Sequence, residues 1–202
     1  MDKVNNGNGL KMAYLDAGES EEVILLLHGF PELAYSWRRV VPALVHAGYR
    51  VIAPDQRGYG ETTGWALGYD VELVPYAFEN LVRDVLGLLN ALDIPSVAAV
   101  VGHDFGSPVA AWAAMTYPDV FRRLVLMSAP FGVPTSNVFD AVVRLEPPRV
   151  HYHHYYATPT ADGDMRDPPQ GLHDFLRGYF HYKSGAVSYT HLRAHETEAD
   201  LV

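Results

Sequence analysis

Short runs of apolar residues recur along the first 130 positions of the chain, each closed by a glycine or a proline. An alternation of apolar and polar residues predicts a half-buried strand over Leu10–Leu15. Continuous runs of this kind predict strands that are buried on both faces of a sheet. They occur in EEVILLLHG, YRVIAPD, SVAAVVG and RRLVLMSAP.

Helical spacing of apolar residues separates these runs. It covers Trp37–Val45, with Gly48 as a stop, and Leu81–Leu92, with Pro95 after it. The segment SPVAAWAAMTYP is rich in small residues and carries Pro108 in its first turn, a position that helices accept. Strands that alternate with helices through short connections predict an α/β fold with a doubly wound, mostly parallel sheet.

The pattern changes after Pro130. The segment HYHHYYATPTADGDMRDPPQGLHDFLRGYFHYK is aromatic, rich in histidine and broken by proline, and we interpret it as part of a helical lid. The final residues, VSYTHLRAHETEADLV, continue nothing before them, and much of this stretch back-translates into a transposase sequencing adapter. We therefore predict an N-terminal core at 1–132, a partial lid at 133–186 and a non-native tail at 187–202, with the native chain interrupted near Ala186. A natural disordered tail is the alternative.

Composition narrows the class of protein. The chain has 202 residues, of which 49% are apolar, and its formal net charge is −9 with no long basic run, which argues against nucleic acid as a partner. It has no cysteine, no apolar signal core and no apolar run near the roughly 18 residues that span a membrane. These features predict a cytoplasmic protein and leave the oligomeric state open.

Three motifs follow predicted strands: HGFP, PDQRGYG and GHDFG. Reactive groups of an open α/β sheet lie at the carboxyl ends of its strands, so we expect an active site there. The pattern Gly102-x-Asp104-x-Gly106, called the elbow below, is typical of a strained turn that presents a nucleophile at its apex. The alternative is an aspartate that caps the next helix, but a cap does not need two glycines after a buried strand.

An aspartate at the apex selects the chemistry. A serine that attacked a saturated carbon would leave a stable ether, whereas a carboxylate leaves an ester that water can cleave. Asp104 therefore predicts attack on alkyl carbons that bear a leaving group, such as epoxides or alkyl halides. The backbone N–H groups of Phe30 and Phe105 are predicted to form an oxyanion hole for hydrolysis of that ester.

Four polar residues beside these motifs are predicted to be structural. We expect His28 and His103 to be packed histidines whose rings bond to the backbone, and Asp55 and Arg57 to orient loops. Two apparent metal patterns, HYHH and DGDMRD, are rejected because the first is explained by lid aromatics and the second lacks a closing Glu. We expect neither a metal nor a cofactor.

The strings HGFPELAYSWRRVVPALVHAGYRVIAPDQRGYGET and VVGHDFGSPVAAWAAMTYPDVFRRLVLMSAPF, with HYHHYY, resemble the epoxide hydrolase branch of the α/β-hydrolase family over 10–186. The resemblance implies that fold, here incomplete on its C-terminal side, and assigns Asp104 as the nucleophile. It places at Tyr152 the lid tyrosine that hydrogen-bonds the epoxide oxygen. Tyr155 is less favoured for that role, and lid packing is the alternative for Tyr152. The implied partners are a small apolar epoxide and water.

We expect the substrate to contact four residues, Pro31, Trp37, Phe131 and Tyr155. The family's general-base histidine and its orienting acid follow the lid, and neither can be assigned here because His191 and His195 lie in the suspected tail. We therefore expect an ester that turns over slowly, and an open sheet edge near Leu124–Met127.

Two other functions, dehalogenation and non-catalytic ligand binding, compete with epoxide opening. A haloalkane dehalogenase uses the same nucleophile but holds the halide with side-chain N–H donors, and Phe105 has none. A fluoroacetate-type enzyme would have arginines after the nucleophile, where this chain has Ser107 and Pro108. A non-catalytic ligand-binding module of the same fold is the remaining alternative, and the intact elbow argues against it.

Overall fold

The structure, a computed structural model, describes residues 1–129 and 152–182. Contacts within the chain divide it into two compact units, Met1–Gly132 and Val133–Val202. Phe131 and the suspected tail at 187–202 lie outside the described residues. The interpretation of the second unit as a lid stays a prediction.

The first unit is built on a six-stranded sheet in the order β1-β2-β4-β3-β5-β6. Strands β4, β3, β5 and β6 are parallel, and β1 and β2 join the β4 edge as antiparallel strands. This mostly parallel α/β sheet confirms the predicted fold class. The strand bounds are Asp2–Asn5 (β1), Lys11–Ala17 (β2), Val23–Leu27 (β3), Arg50–Pro54 (β4), Ala99–His103 (β5) and Leu124–Met127 (β6).

Helices cover both faces of the sheet, which is why β3 is buried along its whole length. Leu25 and Leu27 pack in the larger core cluster with residues of α2 (Phe78–Ala91) and α3 (Gly106–Thr116). Ile24 and Leu26 point to the other face, into a cluster that includes α1 (Val41–His46) and a 3₁₀ segment at Ala34–Arg39. Successive strand residues face opposite sides, so a continuous apolar run serves two helical layers at once.

The structure corrects three details that the sequence pattern predicted. The single helix predicted over 37–45 is divided between the 3₁₀ segment and α1, because Pro42 has no N–H and occupies the first turn of a new helix. The polar strand β1 was not predicted, since only Val4 of its residues is withdrawn from solvent. The apolar run of β6 was predicted to be buried, but Leu124, Val125 and Met127 are exposed, because β6 lies at the edge of the described sheet, where an open edge was expected.

The second unit contains three short helices within residues 152–182: α4 (Tyr152–Tyr156), α5 (Ala161–Arg166) and α6 (Leu172–Tyr182). The hydroxyls of Tyr156 and Tyr179 lie 3.2 Å apart and join α4 to α6. The hydroxyl of Tyr155 donates to Asp164 at 2.8 Å. Across both described ranges, no helix has the length and apolar character that a membrane span requires.

Candidate active site

The strand order places two loops side by side at the carboxyl edge of the sheet. From β3 the chain moves to β4 on one side, then returns to β5 on the other, so the order reverses between β3 and β5. Ligands of open α/β sheets bind at such a reversal. The loop after β3 is HGFP, His28–Pro31, and the loop after β5 is the elbow, Gly102–Gly106.

The elbow is a strained turn between β5 and α3. Asp104 has φ 50°, in the left-handed region that non-glycine residues rarely adopt. The turn is held by Asp104 N–H, which donates to the Met127 carbonyl at 2.9 Å, and by Ser107 N–H, which donates to the Asp104 carbonyl at 3.0 Å. Because the backbone is fixed on both sides of the apex, the carboxylate is presented in one place.

Glycine is required at the elbow by close backbone approaches. A Cβ on Gly106 would lie 2.7 Å from the His28 carbonyl oxygen and would collide with that of Leu27. A Cβ on Gly102 would lie 2.6 Å from the Ser107 Cα. Neither neighbour is a flexible side chain that could move aside. Gly106 therefore allows the elbow to pack directly against the end of β3, and Gly102 allows the turn to close against the start of α3.

Two backbone N–H groups converge on one oxygen of the apex carboxylate. Phe30 N–H donates to Asp104 Oδ1 at 3.0 Å, and Phe105 N–H donates to the same oxygen at 2.7 Å. Within the described residues, Oδ2 accepts no hydrogen bond. The carboxylate does not cap α3, whose N-cap residue is Phe105 and has no side-chain capping bond. The geometry thus brings together the three residues predicted as nucleophile and oxyanion donors.

Glu32 was not singled out in the sequence, although it is central to the loop contacts. Its Oε2 lies 2.7 Å from His103 Nδ1 and accepts the Gly29 N–H at 3.2 Å. The prediction that the His103 ring bonds to the backbone is therefore wrong. The sequence offered one signal for this role, a carboxylate three residues after Gly29. It could not show that Glu32 would pair with His103, which lies 71 positions away.

His28 has a different environment, and its ring bonds to the backbone as predicted. Its Nδ1 lies 2.8 Å from the Gly29 carbonyl oxygen, and its Nε2 accepts the Gln56 N–H at 3.1 Å. The second contact requires an unprotonated Nε2, so the proton is on Nδ1. Burial lowers the pKa of His28. The ring of Tyr59 meets it edge-on at 4.8 Å, and burial, followed by the charge of Asp104, raises the pKa of Tyr59.

Asp55 and Arg57 orient loops, as predicted. Asp55 follows β4 and accepts the Ala34 N–H and the Glu61 N–H, each at 2.9 Å, which fixes the segment after HGFP and the turn after β4. Arg57 forms a two-pronged ion pair with Asp84 of α2, with both contacts at 2.7 Å. These buried charges stabilise the loops around the elbow and do not contact Asp104.

The residues predicted to contact substrate have varied surroundings. Pro31 is half-buried beside Phe30, and Trp37 is buried among apolar residues of β3, with its ring edge-on to His103 at 6.4 Å. Tyr155 is engaged with Asp164, and Tyr152 contacts the rings of His153 and Tyr156. Their roles toward a substrate stay predictions.

Within residues 1–129 and 152–182, no three His, Asp or Glu side chains lie close enough together to hold a metal ion. The DGDMRD segment lies largely in helix α5, where Asp162 pairs with Arg166 at 2.9 Å, four residues along.

Sequence comparison finds relatives that are named epoxide hydrolases. Epoxide hydrolase B of Mycobacterium tuberculosis is 39% identical over 175 residues, which cover 81% of this chain and 47% of that protein. An epoxide hydrolase of Caballeronia sordidicola is 42% identical over 140 residues, 69% of this chain and 40% of that protein. The chain thus spans about half the length of these curated relatives.

Solved structures of epoxide hydrolases also resemble this chain. An epoxide hydrolase from an endophytic Streptomyces superposes with a TM-score of 0.77 and 32% identity, covering 92% of this chain and 54% of that one. The epoxide hydrolase of Vigna radiata gives a TM-score of 0.74 with 31% identity over 89% and 53%. Residues 22–158 match the family described as the alpha/beta hydrolase fold. With this match and the elbow after β5, the chain belongs to the α/β-hydrolase fold family and resembles its epoxide hydrolases.

Proposed function

We propose that this chain carries the nucleophile of an epoxide hydrolase that opens an epoxide to a vicinal diol through an ester on Asp104. The observation that carries the proposal is the pair of N–H donors on Asp104 Oδ1. They occupy one carboxylate oxygen and leave Oδ2 for attack on carbon. The relatives named epoxide hydrolases support the same substrate class.

The first step forms a bond between Oδ2 and a ring carbon of the epoxide. The carbon–oxygen bond of the ring breaks, and the ring oxygen takes a proton, for which we propose the hydroxyl of Tyr152 as donor. In the product ester, Oδ1 is the carbonyl oxygen and stays between the N–H groups of Phe30 and Phe105. We propose that Pro31, Trp37, Phe131 and Tyr155 contact the apolar part of the substrate.

The second step is attack of water on Asp104 Cγ. Negative charge develops on Oδ1, where the two N–H donors stabilise it, and collapse of the intermediate breaks the ester C–O bond. One proton of the water completes the diol hydroxyl and the other returns to the Tyr152 phenolate, so that the carboxylate and the phenol are both restored. The base that takes the proton from this water is not assigned to a described residue. His28 does not serve, since Gly29 and Gln56 engage both of its ring nitrogens.

Mass spectrometry of the intact chain tests the first step. After incubation with styrene oxide, we expect the mass to increase by one substrate molecule, with the adduct mapped to Asp104 by peptide sequencing. Asp104→Asn, which preserves shape and removes the nucleophile, is the control and should gain no adduct. An adduct on another residue, or one that persists in Asp104→Asn, would contradict the proposal. Any diol released is measured in the same samples by chromatography.

An alkyl halide would be attacked by the same oxygen, and a 1-bromoalkane is the second substrate in this experiment. The Phe105 side chain offers no donor to a departing halide, so we expect the epoxide to react faster. Faster reaction of the bromide would favour a dehalogenase. Absence of both adducts would favour a ligand-binding module.

A further inference from the structure

Glu32 joins the two loops that supply the donors to Asp104. One oxygen, Oε2, contacts Gly29 N–H in the HGFP loop and His103 Nδ1 at the end of β5. A carboxylate only accepts hydrogen bonds, so the His103 proton in this contact is on Nδ1. The Glu32 N–H in turn donates to the Gly29 carbonyl at 3.1 Å, which closes the loop on itself.

The two groups that Glu32 contacts lie within two residues of the donors in the chain. Gly29 precedes Phe30, and His103 precedes the Asp104–Phe105 pair. The two loops come from parallel neighbours β3 and β5, whose register ends at the pair Leu27 and Gly102. Beyond that pair the sheet no longer aligns the loops, and Glu32 bridges them with one oxygen.

We propose that Glu32 is a positioning residue that, through Gly29 and His103, keeps the N–H groups of Phe30 and Phe105 directed at Asp104 Oδ1. This inference rests on the proposed function, because it concerns the same carboxylate. Its partners within the described residues are Gly29 and His103, and neither contacts Oδ2.

The proposal has opposite consequences for the two steps. Formation of the ester removes negative charge from the carboxylate, so the N–H donors stabilise the starting state more than the product. Attack on the ester places negative charge on Oδ1, so the same donors lower that barrier. Loosening the donors should therefore slow ester cleavage while ester formation is unchanged or faster. General destabilisation of the fold would slow both steps.

Cleavage can be measured without the unassigned base by using hydroxylamine as the nucleophile. The chain is first loaded with styrene oxide, and excess epoxide is removed. Hydroxylamine then attacks Asp104 Cγ, the ester C–O bond breaks, and the products are the diol and a hydroxamate on Asp104. The tetrahedral intermediate again carries its charge on Oδ1. Intact mass follows loading and cleavage separately in each variant.

We expect Glu32→Ala to slow cleavage by about tenfold, less than the loss of a whole oxyanion donor, and to load at least as fast as the wild type. Glu32→Gln should fall closer to the wild type, since an amide oxygen can accept from both Gly29 and His103. Glu22→Ala is the matched control, because it removes a carboxylate paired with Arg122 on the exposed surface. Equal cleavage rates in Glu32→Ala and Glu22→Ala would overturn the proposal.

Amide hydrogen exchange supplies a readout that does not depend on reaction. In Glu32→Ala, peptides that contain Phe30 and Phe105 should exchange faster than in the wild type, while peptides from β4 are unchanged. Unchanged exchange at both amides would overturn the positioning role even if an adduct forms. Faster exchange in Glu32→Ala, combined with a wild-type chain that gains no adduct, would instead support the positioning role and reject the proposed function.

Discussion

Phe30 donates its backbone N–H to Asp104 Oδ1 at 3.0 Å, although the two residues are 74 positions apart in the chain. The contact exists because β3 and β5 are parallel neighbours at the point where the strand order reverses. It brings the HGFP loop directly against the apex carboxylate. A group forced into this loop would displace the carboxylate itself, and ester formation should be sensitive to such a displacement.

Gly29→Ala tests that sensitivity. An added Cβ would lie 2.7 Å from Asp104 Oδ1 and would collide with the Asp104 Cβ, so the loop or the carboxylate must move. We expect ester formation with styrene oxide to slow by about 100-fold, the effect of a displacement of about 1 Å. The measurement is the loading rate by intact mass. Gly163→Ala, in α5 with open space around it, is the control and should leave the rate unchanged. A Gly29→Ala variant that loads like the control would show that the loop absorbs the methyl group.

The buried Arg57–Asp84 ion pair should be essential for stability. Its side chains are only 6% and 3% exposed, and Asp84 also accepts from Asn8 at 2.7 Å. Asp84→Asn leaves the guanidinium without its counter-charge, and we expect the free energy of unfolding in urea to fall by about 3–5 kcal/mol. The exposed pair of Glu22 and Arg122 serves for comparison, and Glu22→Gln should cost at most about 1 kcal/mol. Similar losses in the two variants would contradict a special role for burial.

The stability of the chain should depend on pH through His28. Burial lowers the folded-state pKa of His28 below its ordinary value of 6.5, so in acid the unfolded chain binds the proton more readily than the folded chain. The stabilisation of the fold by neutral His28 is fully present above about pH 6.5, the unfolded pKa, and is lost as the pH falls toward the lower folded pKa. Between these values the unfolding free energy should fall by up to about 1.4 kcal/mol per pH unit. Urea unfolding from about pH 7.5 to about pH 5 measures it, and a His28→Gln variant with the same slope would contradict the assignment.

The hydroxyl of Tyr152 should assist ring opening if it protonates the epoxide oxygen. We expect Tyr152→Phe to slow ester formation by at least about 100-fold, the usual range for loss of a general acid. Tyr155→Phe should slow it less, because the Tyr155 hydroxyl donates to Asp164. Tyr117→Phe, at the end of α3, controls for the loss of a hydroxyl as such. If Tyr155→Phe reacts more slowly than Tyr152→Phe, Tyr155 is the proton donor instead of Tyr152.

Local patterns were sufficient to predict most of the first unit. The runs in β3, β4 and β5 and the spacing in α2 are set by which side chains face the core, and each period is visible in a few residues. Strand β1 could not be predicted this way, because only Val4 of its four residues is partly buried and the strand exists through pairing with β2. Apolar composition alone overestimated the burial of β6, and its open edge was expected only from the resemblance to a longer sheet, because composition does not reveal an edge position.

The sequence by itself determined the parallel α/β fold, the glycine-flanked turn and the aspartate at its apex, because periodicity, turn chemistry and nucleophile type are properties of neighbouring residues. Only the tertiary structure decided that Phe30 and Phe105 share Asp104 Oδ1, and that Glu32 pairs with His103. These contacts join segments more than 70 positions apart. Their geometry depends on which strands become neighbours in the sheet, and no local pattern encodes that.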